Sequence, residues 1–235
     1  MSELLPPTFA RPTARRAVLG GLLAGSGLLV LPGCTGMGGF SLTDAVQRLL
    51  FLSSERAFAR MLQPDGYWDE QVARSGLGTL LGTRGDVLGR ILTSPLFKTR
   101  LESAFADIAY EGAERAAPLV TDAVRTIGFA NAIDLVRGGP TAASAYLRSE
   151  LGMRLLDAMV PELGQAMRVA SDPLVGQALA ALSGVDVAQV AARVATAIDD
   201  TIWREIGSEE AAIRANPRAT NDPLLIGVFG VGRSL

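Results

Sequence analysis

Leu31-Pro32-Gly33-Cys34 is the stretch best suited by residue type and spacing to covalent chemistry. A small residue ahead of a cysteine resembles a bacterial lipobox. There the sulfur is diacylated, the chain is cut before the cysteine, and the new amino terminus is acylated. Cys34 is the only cysteine in the chain. At about 0.8 kcal/mol per buried CH₂ one acyl chain holds only marginally, whereas two or more anchor stably. A lipidated Cys34 also leaves no thiol for a disulfide. The chain has no histidine, which removes the usual general base, the usual zinc ligand and every Ser-His or Cys-His dyad.

Other groupings of reactive side chains read more simply as structure. Asp107, Glu111 and Glu114 recur at i, i+4, i+7, so they share a helix face on which carboxylates can hold a cation or act as acid and base. Such a face is ordinarily solvated, here beside Arg115 or Arg100. Asp65, Asp69 and Glu70 around Gly66 lack the spacing of a calcium loop. Ser94 and Lys98 stand one residue further apart than the Ser-x-x-Lys of penicillin-recognising enzymes, and a helix cap accounts for Ser94. Gly138-Gly139-Pro140-Thr141 precedes a helix in the manner of an anion-binding N-terminus, but no Walker lysine follows. This reading assigns no catalytic residue, no metal ligand and no cofactor.

Two further groups remain. Glu210 and Arg214 are spaced i, i+4 in the favourable order, and Arg218 follows the next proline. Arg214 and Arg218 are candidates to latch the terminal arm 220–230, with Phe229, onto the body or to present it to a partner. The plainer alternative is a helix-end salt bridge and a cation that complements the helix dipole. The pair Tyr67-Trp68 lies beside a Gly-rich stretch and would suit ligand or membrane contact if exposed, although core packing is the commoner use.

The segment ahead of Cys34 has the order of an export signal. Arg11, Arg15 and Arg16 oppose only Glu3, and the apolar run Ala17 to Leu31 follows. Interrupted by Gly20, Gly21, Gly25 and Gly27, that run falls short of the roughly 20 apolar residues of a spanning helix. Arg15-Arg16 is similar to a twin-arginine signal, with Ala14 and Val18 departing from the usual neighbours; the general secretory route is the alternative. The expected division is a signal peptide over 1–33, the lipidated cysteine and a flexible tether over 34–40, and one helical domain over 41–235.

The full chain has 235 residues, 49% apolar and 20% charged, enough for a single core that needs no cofactor for stability. Removing Arg11, Arg15 and Arg16 from 22 bases and Glu3 from 24 acids leaves 19 against 23, a net charge of −4 after cleavage. That balance suits neither nucleic acid nor an anionic lipid surface.

Helix signals follow one another from Ser41. Ser41 and Asp44 form a capping box ahead of an apolar face running to Met61-Leu62, and Pro64-Asp65-Gly66 makes a turn. Residues 67–92 read as a loop followed by a short helix near 86–92. Ser94-Pro95 opens a helix that Pro118 divides from another over 119–127. Shorter helices are expected over 129–137, from a cap at Thr141 to Ala158 with Pro161 as a kink or new start, and from Asp172-Pro173 to Ser183-Gly184. A long helix from Asp186 to Ala215 ends at Asn216-Pro217. Leu224, Leu225, Val228 and Phe229 lie on one face of a short helix and are expected to pack on the body. No stretch keeps a period of two, so the fold class is all-α, a single multi-helix bundle of about eight helices.

Five blocks of this sequence resemble the bacterial exported family known as domain of unknown function 4197. They are the helix ending in Pro64-Asp65-Gly66-Tyr67, the corner Glu114-Arg115-Ala116-Ala117-Pro118, Gly138-Gly139-Pro140-Thr141-Ala142-Ala143-Ser144-Ala145-Tyr146-Leu147, Glu209-Glu210 with Ile213 to Thr220, and Leu224 to Gly230. The chain departs from the family pattern at its Gly-rich residues 75–85 and at Gly227, where a Lys is usual. The resemblance implies an exported, mostly helical protein and supplies no activity to carry over. The function expected is therefore that of a lipid-anchored, periplasm-facing envelope protein, held on a bacterial membrane through Cys34. It would act as a non-enzymatic binding or scaffolding module for an envelope protein partner. The alternative is a carrier of an apolar ligand between the helices.

Overall fold

A computed structural model describes residues 41–64, 66–82, 95–169 and 187–230, all within one compact unit, Gly39–Leu235. Arg15, Arg16 and Cys34, and the helices expected near 86–92 and over 172–184, lie outside the described residues.

The first helix, α1, runs Leu42–Met61. Ser41 Oγ accepts from the Asp44 amide at 3.0 Å and Asp44 Oδ2 accepts from the Ser41 amide at 3.1 Å, closing the capping box. The expected loop after Gly66 is instead helical: α2 spans Tyr67–Ser75 and α3 spans Leu77–Leu81. Trp68, Gln71 and Val72 are spaced to bury one helical face; Gly66, Gly76 and Gly82 sit at the ends of these helices, and Gly78 lies within α3. Gly82 closes α3 at φ +68, with the Arg193 guanidinium lying where a Cβ would be.

Pro118, expected to divide two helices, lies inside one 32-residue helix, α4, Pro95–Thr126. A proline within a helix costs about 3 kcal/mol through one lost hydrogen bond and a clash with the preceding turn. Burial of Ala113 and Ala116 before it and of Val120 and Val124 after it lies along one continuous face and offsets that cost. A short helix, α5, spans Ala132–Arg137; α6 spans Ala142–Leu151; α7 spans Arg154–Val169 and contains Pro161. The segment expected to continue from Thr141 to Ala158 is thus broken at Gly152, which adopts φ +52. The long helix α8 is Val187–Ala215, followed by a 3-10 turn, Pro217–Thr220, and α9, Pro223–Phe229.

α8 is the axis of the bundle. It packs on α1, α3, α4, α6 and α7, while α1 also meets α4, α5 and α9. Val190, Val194, Ile198, Ile202, Ile206 and Ile213 of α8 are all buried, a stripe at helical spacing facing Leu49, Phe105, Leu147, Leu155 and Met159 of the shared core. Gly112 sets the crossing of α4 and α8, since a Cβ there would stand 2.9 Å from Ile198 Cδ1. The described residues form an all-α bundle of nine α-helices and the 3-10 turn, without strands. None of these helices is long and apolar enough to cross a membrane.

Candidate functional site

The most enclosed polar constellation is built by α8 reaching to the N-terminus of α6. The first amides of a helix have no partner within it, and Thr141, the expected cap of α6, makes no side-chain bond to them. Its methyl packs instead near Gly207, and its carbonyl accepts from Ser144 Oγ at 3.1 Å. Glu210 supplies the cap from 66 residues away. Oε1 accepts from the Ala143 amide at 3.0 Å and Oε2 from the Ser144 amide at 2.7 Å, with the Glu210 side chain 0% exposed. Gly138 to Thr141 do precede an anion site, and the chain fills it with its own carboxylate.

Arg214 completes the constellation one turn on. Its Nε donates to Glu210 Oε1 at 2.8 Å, its Nη1 to the Val136 carbonyl at 3.0 Å and its Nη2 to the Leu135 carbonyl at 2.8 Å. The guanidinium carbon stands 4.8 Å from the centroid of the Phe229 ring, a cation–π contact. One ion pair thus ties α8 to the start of α6, the last turn of α5 and α9. Arg218 is not part of it: its side chain is exposed and makes no bond among the described residues. Leu225 and Phe229 of the arm are buried, and Asp222 caps α9 by accepting from the amides of Leu224 and Leu225.

A second carboxylate of α8, three turns earlier, grips the other end of α6. Asp199 is buried, accepts from Arg148 Nη2 at 2.7 Å and from the Trp203 indole at 2.9 Å. Burial pushes its carboxyl above the usual range. Arg148 and Trp203 offset only part of that, and Asp200, which shares Arg148, adds to it. Sequence reading missed this pair. The i, i+4 spacing of Asp199 and Trp203 was its one local signal.

Tyr67 and Trp68 pack edge to face at 5.3 Å, with Trp68 in the core. Among the described residues the Tyr67 hydroxyl and the Trp68 indole N–H have no hydrogen-bond partner. Burial first, and then the nearby Glu205 carboxylate, push the Tyr67 hydroxyl up to about 12. Asp107, Glu111 and Glu114 are all exposed on α4. Asp69 and Glu70 face solvent, with Glu70 paired to Arg74, and Lys98 pairs with Glu102; Asp65 and Ser94 lie outside the described residues. Among the described residues no group of three His, Cys, Asp or Glu could hold a metal ion.

Open space lies elsewhere. Phe51 and Arg48 of α1, Val124 and Arg125 of α4 and Leu224 of α9 line a groove of about 450 Å³. Gln47 fastens its wall by donating to the carbonyls of Val124 and Arg125 at 3.1 and 3.3 Å. Arg48 pairs with Asp222 at 2.7 Å and lies 6.0 Å from the Phe51 ring centroid. For Asp222 burial acts upward, but Arg48 and the amides of Leu225 and Leu224 outweigh it and hold the carboxyl below its ordinary value. By contrast, the void inside the bundle beside Trp68, Phe105 and Ile198 has room of about 20 Å³, the scale of a single water.

An all-helical bundle closed by a buried acid–arginine pair is the class these features define. The chain belongs to the family described as protein of unknown function (DUF4197), whose model matches residues 37–230. Three of the five blocks that carry this likeness, around Ala143, Glu210 and Phe229, meet at the Glu210–Arg214 pair. No curated protein and no solved structure gives a significant match.

Proposed function

We propose that the protein is a lipid-anchored, non-enzymatic binding module of the bacterial cell envelope, exported through its Arg15-Arg16 signal and held on the membrane by Cys34. Its binding surface is the groove floored by Phe51 and Leu224. The observation that carries this reading is the contrast of volumes: about 450 Å³ of open groove against about 20 Å³ beside Trp68 in the core. An apolar carrier needs an enclosed cavity of roughly 300–1,000 Å³, and neither the space of about 20 Å³ beside Trp68 nor the one of about 200 Å³ beside Leu155 reaches that. Arg125 at the rim and the apolar floor suit an amphipathic segment of a protein partner.

Two experiments test the two halves of the proposal. Cys34→Ala should release the protein from the membrane fraction or leave it unprocessed; unchanged membrane association with normal cleavage would refute the anchor. Phe51→Asp should abolish site-specific photocrosslinking from position 125 to an envelope protein in intact cells, while circular dichroism shows the variant still folded and helical. A crosslink that survives Phe51→Asp, or lipid recovered stoichiometrically by extraction and mass spectrometry, would contradict the binding-module reading.

A further inference from the structure

A second opening lies where two helix irregularities face each other. Pro118 interrupts the hydrogen-bond ladder of α4. Gly152 and Met153 separate α6 from α7, Gly152 at φ +52. Helices that carry such breaks do not close against one another along their full length, and between them is a cavity of about 200 Å³. Leu119, Asp122 and Thr126 of α4 form one wall, and Leu151, Arg154 and Leu155 form the other. Leu151 and Leu155 are buried, while Leu119 is 40% exposed at the mouth.

The two walls carry opposite charges that are not spent on each other. Asp122 and Arg154 form no ion pair, which places their charged atoms more than 4.0 Å apart. Among the described residues neither side chain bonds to another group; the Thr126 hydroxyl donates to the backbone carbonyl of Asp122 and leaves its carboxylate free. This differs from Glu210, Asp199, Asp222 and Glu205, each of which has an arginine against it.

We infer that the cavity between α4 and the α6–α7 break binds a small zwitterion with an apolar side chain, the chemistry of a free α-amino acid. Arg154 meets the carboxylate, for which a guanidinium fork is the suited donor, and Asp122 meets the ammonium group. Thr126 Oγ1 keeps a lone pair for the same ammonium. The apolar side chain lies against Leu119, Leu151 and Leu155. A cavity of about 200 Å³ lies below the roughly 300–1,000 Å³ of pockets for drug-sized ligands, which suits a molecule the size of leucine rather than a peptide or an acyl lipid. The site is separate from the groove at Phe51 and does not depend on the anchor.

The test uses the full-length protein purified in detergent and L-leucine as the probe, followed by calorimetric titration at neutral pH. Saturable binding of one leucine is expected, weakened at least tenfold by Arg154→Gln and by Asp122→Asn. Both residues are exposed, so both variants should keep the wild-type melting curve. L-leucinamide, lacking the carboxylate, and 4-methylpentanoate, lacking the ammonium, should each bind at least tenfold more weakly than leucine. No binding of leucine, equal binding by 4-methylpentanoate, or wild-type affinity in Arg154→Gln would each overturn the assignment.

Discussion

The two ends of α6 are held by the same helix with the same residue classes, yet the two attachments differ in kind. At the N-terminus Glu210 is fully enclosed and receives two backbone amides and the Arg214 guanidinium. At the C-terminal half Asp199 is met by Arg148, whose side chain is 44% exposed and is shared with Asp200. A carboxylate that has amides, a helix dipole and an arginine of its own is compensated for leaving water. At Asp199 burial pushes the carboxyl above its ordinary range, and the half-solvated arginine it shares with Asp200, together with the Trp203 indole, offsets only part of that. The first is enclosed on every side, and the second is closed from the interior but open to solvent through Arg148.

The comparison breaks most readily at the enclosed attachment. Glu210→Gln leaves Arg214 buried without its counter-charge and weakens the cap on α6. The loss expected for breaking a buried pair from one side is about 3–5 kcal/mol, measured by urea unfolding of residues 39–235. Asp199→Asn should cost clearly less. Equal losses at the two sites would erase the distinction.

Next in size is Phe229→Ala. The ring is 8% exposed and lies under the Arg214 guanidinium, so truncation removes core burial together with the cation–π contact. A loss of about 3 kcal/mol is expected by the same measurement. Arg218→Gln, on the exposed side of the same corner, should stay within about 0.5 kcal/mol. If the two arginines proved equivalent, the arm would be held by charge at the corner rather than by the buried ring.

The smallest effects concern pH and separate Asp199 from Asp222. The Asp199 carboxyl is raised in the fold, so the native state binds more protons, and stability falls as pH rises from the ordinary value of 3.8 through the raised one. Asp222 is lowered, so its contribution is present above 3.8 and is lost as pH falls through its native value. Urea midpoints taken across the acid range should show Asp199→Asn removing a decline with rising pH and Asp222→Asn removing a gain. The same slope in both variants would refute the assignment.

Local chemistry was readable from the chain where both partners are near in sequence. The Ser41–Asp44 capping box, the break at Asn216-Pro217, the i, i+4 pair Glu210–Arg214 and the apolar face of α9 are all of this kind. Reading failed where a distant partner overrode a local rule. Pro118 stays helical because the face on either side of it is buried, and Thr141 is displaced as a cap by a glutamate 69 residues on. The glycines after Tyr67 suggested a loop because the places of Gly76 and Gly82 at helix ends become visible only once Trp68 and Val72 are seen to pack. The two openings were not legible at all, since each is formed by side chains from helices remote in sequence.

The measurement closest to the central claim is amide hydrogen exchange at Ala143 and Ser144 in the wild-type protein. First-turn helix amides ordinarily lack a partner within the helix and exchange quickly. With Glu210 accepting from both in the interior, they should exchange only as fast as the whole bundle unfolds, in step with the core amides of α8. Fast exchange at these two positions, while α8 remains protected, would contradict the enclosed attachment.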